Sequence, residues 1–253
     1  MSSIHNMQTK YHEQTYPTYK NVKYGQGTVY SSGCGPASLC NCLDMLGIAS
    51  VTVKAMCAYS ESIGARVPGG TDEQRLLKYA SQKYGFKYKT TSKNSDLLSH
   101  LRAGGVAILH GGSNYKLFSN GGHFVAAIGV YGNDITVMDS YWYDGKYTST
   151  ALRKKNVKVL ARGIIRTSID QIGKATADRS PSYYLISKIN EHKENDDMTY
   201  YKTIANIPSY YKESIQKLID KDALKGTGNG ELNISEDFCK IMTVLNRLGI
   251  LDK

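Results

Sequence analysis

The chain has 253 residues, of which 41% are hydrophobic and 21% are charged, with 24 glycines and only 5 prolines. This composition is typical of a globular protein and excludes a collagen-like, mucin-like or disordered chain. The formal net charge of +10 favours a polyanionic partner, but the basic residues are scattered along the chain, so we expect no dedicated nucleic-acid site.

Membrane, targeting and disulfide patterns are not evident in the sequence. No run of about 18 apolar residues occurs, so we expect neither a membrane span nor stable membrane insertion. The first 20 residues lack the apolar segment of a secretory signal peptide, which predicts synthesis in the cytoplasm. The five cysteines are an odd number, and Cys40 and Cys42 are spaced to point in different directions on a helix. We therefore expect reduced thiols rather than a disulfide framework.

Three helices are predicted in the first half of the chain, over residues 35–46, 71–84 and 95–102. The first carries an apolar stripe and ends at a glycine, which is a common helix stop. The second begins at Thr71, which together with Gln74 matches a capping box.

The pattern then changes to short apolar segments separated by glycine, asparagine and aspartate turns, which is typical of strands. The predicted strands cover residues 106–109, 123–131, 135–140, 157–162 and 183–189. Helices followed by a run of strands predict an α+β fold, with an antiparallel sheet and the N-terminal helix packed on one of its faces.

Charge and turn patterns divide the chain into four segments. Residues 1–20 are predicted to form a loose N-terminal arm, and residues 21–190 the main domain. Residues 191–198 are polar and charged, as expected of a linker. Residues 199–253 are predicted to form a small all-α unit of two helices, over residues 209–220 and 235–248, which buries little apolar area by itself.

The most informative motif, Gly33-Cys-Gly-Pro, places Cys34 at the start of the first helix. Free backbone N–H groups and the positive end of the helix dipole stabilise a thiolate there, so we expect a lowered pKa for this thiol. A lone cysteine at a helix start is more often a buried structural residue. A catalytic role therefore requires a second group that accepts the proton.

Two later motifs supply that group and a residue to orient it. His123 opens an apolar strand and Asp139 ends the next one, so the carboxylate could fix the tautomer of an imidazole that faces Cys34. A three-residue loop at 132–134 places the histidine and the aspartate on one face of the sheet, whereas a two-residue loop places them on opposite faces. The side chain of Gln26, with the backbone N–H of the cysteine, is a candidate to bind an oxyanion.

Each of these residues also has a structural interpretation. A histidine at a strand start is usually held by hydrogen bonds, an aspartate at a strand end usually forms a turn, and a single glutamine carries no signal. The ordered combination of all four favours nucleophilic catalysis by a thiol, a chemistry that needs neither a metal nor a cofactor.

This ordered set resembles the papain-like cysteine peptidases of the bacteriocin-processing (double-glycine) type, over about residues 24–189. The resemblance implies a papain-like α+β fold, with Cys34 as nucleophile and His123 as general base. It also implies that Asp139 orients the histidine and that Gln26 donates to the oxyanion.

The C-terminal segment, about residues 200–252, resembles the short helical units that end many phage lysins and autolysins of Gram-positive bacteria. Those units look like half of an S-layer-homology repeat. The resemblance rests mainly on Leu218-Ile-Asp-Lys and on the glycine-rich stretch that follows it. It implies either wall binding or dimerisation, the latter giving a homodimer.

Together the two resemblances predict an endolysin-like peptidoglycan hydrolase that cleaves amide bonds of wall peptides after release from the cytoplasm. The expected partners are peptidoglycan and anionic wall polymers. Two alternatives remain open, namely a cytosolic cysteine protease acting on proteins and a non-catalytic wall-binding module. A zinc site is not expected, because His100 and His110 have no cysteine or carboxylate at ligand spacing.

Overall fold

The computed structural model describes residues 11–189, 199–228 and 230–252. The chain divides into two compact units, Met1–Ile189 and Asn190–Lys253, each described here by itself. None of the described helices is both long enough and apolar enough to cross a membrane. The linker predicted over residues 191–198 lies outside the described residues.

The first unit is a mixed α+β structure. Its helices are α1 (Val29–Ser32), α2 (Cys34–Met45), α3 (Val53–Ser62), α4 (Glu73–Tyr84), α5 (Asn94–Arg102), α6 (Ala151–Asn156) and α7 (Ile169–Thr176). Four short strands form two antiparallel pairs, β1 (Lys23–Tyr24) with β2 (Gly27–Thr28) and β3 (Arg66–Val67) with β4 (Gly70–Thr71). A large sheet contains β5 (Phe86–Thr91), β6 (Val106–Gly111), β7 (His123–Tyr131), β8 (Asp134–Met138), β9 (Lys158–Ala161), β10 (Ile164–Ser168) and β11 (Tyr183–Lys188).

The large sheet has the order β5-β11-β6-β7-β8-β10-β9, and every neighbouring pair is antiparallel. Side chains alternate between its faces, so Ile108 joins one apolar core while Ala107 and Leu109 join the other. Helix α2 packs on β6 and β7 on the first face, and α5 and α7 cover the second. The predicted α+β class is confirmed, with helices on both faces of the sheet.

Helix α2 is buried along most of its length. Its residues from Gly35 to Leu43 are all buried, between the sheet on one side and α3 on the other. Such a helix needs apolar or small side chains all round. Cys40 and Cys42 are accordingly fully buried free thiols in the core.

The start of α4 differs from its prediction. The helix begins at Glu73 with Asp72 as its N-cap, whose side chain accepts a hydrogen bond from the backbone N–H of Arg75. The capping box at Thr71 is therefore wrong. Thr71 is instead the last residue of β4, and its hydroxyl is hydrogen-bonded to the hydroxyl of Tyr24 at 2.7 Å.

Several elements have no counterpart among the predictions, and α3, β5, α7 and β10 are among them. Strand β5 has the sequence FKYKTT and is largely polar because it lies at an edge of the sheet. An edge strand needs fewer apolar residues than a central one, so its hydropathy pattern is weak. The central strand β7 runs from His123 to Tyr131 as predicted.

The N-terminal segment is not a loose arm over the residues that the structure describes. Residues 12–15 are all buried. The backbone N–H of Gln14 donates to the carbonyl of Ser140 at 2.9 Å, so this segment packs beside the end of the sheet. The predicted arm at 1–20 is therefore corrected for residues 11–20, while residues 1–10 lie outside the described part.

The second unit contains α8 (Ser209–Asp220) and α9 (Glu236–Arg247), close to the predicted helices, and the short strands β12 (Tyr200–Tyr201) and β13 (Ile234–Ser235). The two strands pair antiparallel, so the unit is mainly, not wholly, helical. It has an apolar core of its own, formed by Tyr201, Ile207, Tyr211, Ile215, Ile234 and Cys239. Two of the four tyrosines in this region, Tyr200 and Tyr210, are exposed.

Candidate active site

Cys34 is the first residue of α2 and follows the N-cap residue Gly33. It is partly exposed, unlike the other four cysteines, all of which are buried. The next residue must be small, because a Cβ atom on Gly35 would stand 2.4 Å from a carboxylate oxygen of buried Glu73. A larger residue directly after the cysteine would therefore displace the Glu73 side chain.

The structure brings Cys34, His123 and Asp139 together. Nε2 of His123 lies 2.7 Å from Oδ1 of Asp139, and the imidazole is close enough to the thiol of Cys34 for each group to shift the pKa of the other. Because Nε2 is held by the carboxylate, Nδ1 is the ring nitrogen left for the sulfur. This is the arrangement of nucleophile, base and orienting residue that the sequence predicts.

Of the two loop lengths that the sequence leaves open, the structure has the two-residue one. Tyr131 pairs with Asp134, so the turn contains only two residues. A regular two-residue hairpin would put the histidine and the aspartate on opposite faces. Another feature of the hairpin must therefore restore the common face.

That feature is a β-bulge in β7. The pairing register shifts between Ala127 and Gly129, so one extra residue lies in the strand instead of in the turn. Beyond the bulge, Val125 and Val137 belong to the same apolar core. His123 and Asp139 each lie two residues further along their strands and therefore share that face.

The charges of this pair favour a thiolate and an imidazolium. Burial by itself would raise the pKa of Cys34, but the hydrogen bond and charge of His123 outweigh it, and the pKa of the thiol is lowered. Hydrogen bonds from the backbone of Phe124 and Gly35 add to this effect. Burial alone would lower the pKa of His123, but the charge of Asp139 raises it. The helix start thus contributes one backbone donor, and the histidine contributes most of the stabilisation.

Asp139 is completely buried, and both of its carboxylate oxygens accept hydrogen bonds. Oδ2 accepts from the ammonium of Lys146 and the hydroxyl of Tyr147, each at 2.5 Å, and Oδ1 accepts from the backbone N–H of Tyr141 at 3.0 Å. Burial opposes ionisation, but Lys146 and His123 hold the pKa of Asp139 well below its usual range. The carboxylate is therefore ionised and fixed in position.

Lys146 is a functional residue that the sequence analysis missed. Its side chain is only 1% exposed, and Nζ also donates to the carbonyl of Tyr141 at 2.7 Å. Lysine is almost never fully buried unless it is paired. Local sequence carries no signal for this burial, because the partner carboxylate comes from the preceding strand.

The predicted oxyanion donor Gln26 is not in this site. It is an exposed residue in the turn between β1 and β2 and does not line the cleft at Cys34. Gln14 lines that cleft instead. Its amide is held at both ends, because Nε2 donates to the carbonyl of Tyr30 at 3.0 Å and Oε1 accepts from Ser140 Oγ at 2.9 Å. One N–H of this amide remains for an oxyanion.

The cleft beside the thiol has a volume of about 350 Å³. Its lining residues are Gln14, Ser31, Cys34, Ser119, Asn120, Gly121, Gly122, His123, Tyr141, Tyr143, Lys146 and Arg153. Tyr141 meets the His123 ring edge-on, with ring centroids 6.1 Å apart, and so covers part of the imidazole. Within the described ranges, no group of three or more His, Cys, Asp or Glu side chains is placed to hold a metal ion.

A partly exposed thiol beside an imidazole that a buried carboxylate orients is the site of a cysteine peptidase. The sequence agrees with this class, because residues 10–162 match the Peptidase_C39 like family. This match covers more than half of the chain, and the protein therefore belongs to that family. It is a cysteine peptidase with a papain-like α+β fold.

Several solved structures are similar to this chain. One is the peptidase domain of Streptococcus ComA, a bi-functional ABC transporter involved in a quorum-sensing pathway. It is 15% identical, with a TM-score of 0.43 over 62% of this chain and 93% of that one. Another, described as a C39-like peptidase from Bacillus anthracis, is 12% identical, with a TM-score of 0.46 over 72% and 95%. No curated protein matches the chain.

Proposed function

We propose that this peptidase hydrolyses amide bonds in the peptides of bacterial peptidoglycan and acts at the cell wall after release from the cytoplasm. The observation that carries the proposal is the pairing of an open thiol site with a separate compact unit, Asn190–Lys253. The sequence of that unit resembles the C-terminal units of wall-lytic enzymes. A net charge of +10 adds affinity for anionic wall polymers.

The site residues support a two-step hydrolysis. The Cys34 thiolate attacks the amide carbonyl, and the amide of Gln14 together with the Cys34 N–H binds the oxyanion. The His123 imidazolium then protonates the leaving amine, which leaves a thioester on the cysteine. His123 next removes a proton from water, and the hydroxide releases the acid. Asp139 keeps the imidazole oriented through both steps.

The surface of the second unit supports a binding or dimerisation role. Three apolar side chains on α9 and at its C-terminal end are more than half exposed. The exposed fraction is 56% for Ile241, 54% for Val244 and 67% for Leu248. Their spacing places them on one face of the helix. An exposed apolar stripe of this kind marks a contact surface for a partner.

The first experiment measures product release from purified Gram-positive walls. We expect wild-type protein to release peptides with new amino termini, which mass spectrometry identifies, and Cys34→Ala to release none. Cys42→Ala is the matched control, because that thiol is fully buried and does not line the cleft. Cleavage of casein without any release from walls would instead favour a protease that acts on proteins.

The second experiment tests the apolar stripe. We expect Val244→Glu to reduce either co-sedimentation with purified walls or the dimer fraction in analytical ultracentrifugation. Gln216→Glu adds the same charge at an exposed polar position of α8 and should change neither. Equal behaviour of the two variants in both assays would exclude this face as the contact surface.

A further inference from the structure

Arg153 is a buried cation in the wall of the catalytic cleft. It lies on α6, its side chain is only 2% exposed, and it lines the same cleft as Cys34 and His123. Catalysis by Cys34, His123 and Asp139 does not need this guanidinium as a counterion, because Asp139 is already paired with Lys146. Its position therefore requires a separate explanation.

The guanidinium of Arg153 contacts only neutral acceptors among the described residues. Nε donates to the carbonyls of Lys116 at 3.1 Å and Leu117 at 3.0 Å, and the two terminal nitrogens donate to Ser149 Oγ at 3.3 Å and Asn120 Oδ1 at 3.2 Å. The Nε–H serves both carbonyls, so these contacts occupy three of the five donors of an arginine. Two N–H groups remain available.

The charge of Arg153 has no counterion in the part of the chain that the structure describes. No described carboxylate forms a salt bridge with it. A buried charge without a counterion costs several kcal/mol, which a bound anion would offset. A guanidinium with two free donors matches the two oxygens of a carboxylate.

The contact with Asn120 links Arg153 to the segment that leads into His123. Ser119, Asn120, Gly121 and Gly122 all line the cleft immediately before the histidine. An anion held by the guanidinium would therefore share the cleft with the peptide bond under attack. Its natural source is the substrate itself.

We propose that Arg153 binds a free carboxylate of the substrate near the scissile amide, so that the enzyme prefers acidic peptides to their amidated forms. This rests on the proposed function only in that the substrate enters through the Cys34 cleft. The tests below use no cell-wall material. Failure of either proposal therefore leaves the other standing.

The first test compares alkylation of Cys34 by iodoacetate, which carries a carboxylate, and by iodoacetamide, its neutral counterpart. We expect the rate constant for iodoacetate divided by that for iodoacetamide, at pH 7, to fall about tenfold in Arg153→Gln. Loss of a charge-assisted hydrogen bond to the carboxylate predicts a change of this size. Arg102→Gln, which removes an exposed arginine of α5, is the matched control and should keep the wild-type ratio. An unchanged ratio in Arg153→Gln would overturn the proposal.

The second test needs no variant and so does not depend on the folding of Arg153→Gln. N-acetylglycine and N-acetylglycinamide differ only in the terminal carboxylate. We expect the acid, at equal concentration and ionic strength, to slow the reaction of wild-type Cys34 with iodoacetamide several-fold more than the amide does. Equal protection by the two compounds would show that the cleft has no carboxylate site.

Discussion

Replacing Lys146 by methionine tests how the charges of the site set the ionisation of the catalytic pair. The variant keeps a long apolar side chain but removes the ammonium that Asp139 binds. Asp139 keeps its contacts with His123, Tyr147 and the backbone of Tyr141. The change therefore alters the field at the catalytic pair and leaves the orienting hydrogen bond to the histidine in place.

The size of the effect follows from the geometry of the carboxylate. Lys146 Nζ lies 2.5 Å from Oδ2 of Asp139, and His123 Nε2 lies 2.7 Å from Oδ1. The two cationic groups are then about 5–6 Å apart and repel by about 3 kcal/mol at an effective dielectric constant of about 20. One pKa unit corresponds to about 1.4 kcal/mol, so the pKa of His123 should rise by about 2 in the variant.

Loss of the Lys146 ammonium shifts the pKa values of Cys34 and His123 in the same direction. The ammonium stabilises the thiolate and opposes the imidazolium, so its loss raises the pKa of Cys34 as well as that of His123. These two pKa values belong to the coupled pair. The pH range in which the thiolate–imidazolium pair exists should therefore move upward as a whole.

Alkylation by iodoacetamide as a function of pH measures this shift without a substrate. We expect both inflections of the rate profile to move up in Lys146→Met, by about 2 pH units. Lys154→Met removes an exposed charge from α6 and should leave both inflections in place. A Lys146→Met profile that coincides with that of the wild type would refute the electrostatic reasoning. Movement of the two inflections in opposite directions would refute it as well.

Three further predictions concern other residues of the site. Iodoacetamide at neutral pH should label Cys34 well before the other four cysteines, because burial raises the pKa values of those four thiols. Equal labelling of the five cysteines in peptide mapping would contradict the assignment of the nucleophile. Gln14→Ala should lower kcat by about 10²–10³-fold, as expected for an oxyanion donor, whereas Gln26→Ala should leave kcat nearly unchanged. The reverse result would favour Gln26 as the oxyanion donor. Urea denaturation should show that Gly35→Ala lowers the free energy of unfolding by about 1–3 kcal/mol, because the added methyl group overpacks the site. Gly70→Ala is the control and should lower it much less, because a Cβ atom there meets nothing within 4 Å.

Much of the fold could be predicted from the sequence because its signals are local. Strand β7 and helix α8 have the predicted bounds, since an apolar period and flanking turn residues define each of them within a few positions. The position of Cys34 at a helix start also follows from neighbouring residues, because Pro36 suits the first turn of a helix. Strand β5 was missed because an edge strand has no strong apolar pattern.

The sequence by itself determined which residue types the site would contain and in which order they occur, since Cys34, His123 and Asp139 each stand at the recognisable end of a helix or strand. Only the tertiary structure decided that Asp139 shares a face with His123, because this depends on one extra residue in β7, and several hairpin registers satisfy the same apolar pattern. It also decided that Gln14, and not Gln26, lines the cleft. The contacts that place this glutamine join residues up to 126 positions apart, a separation over which neither periodicity nor turn chemistry carries information.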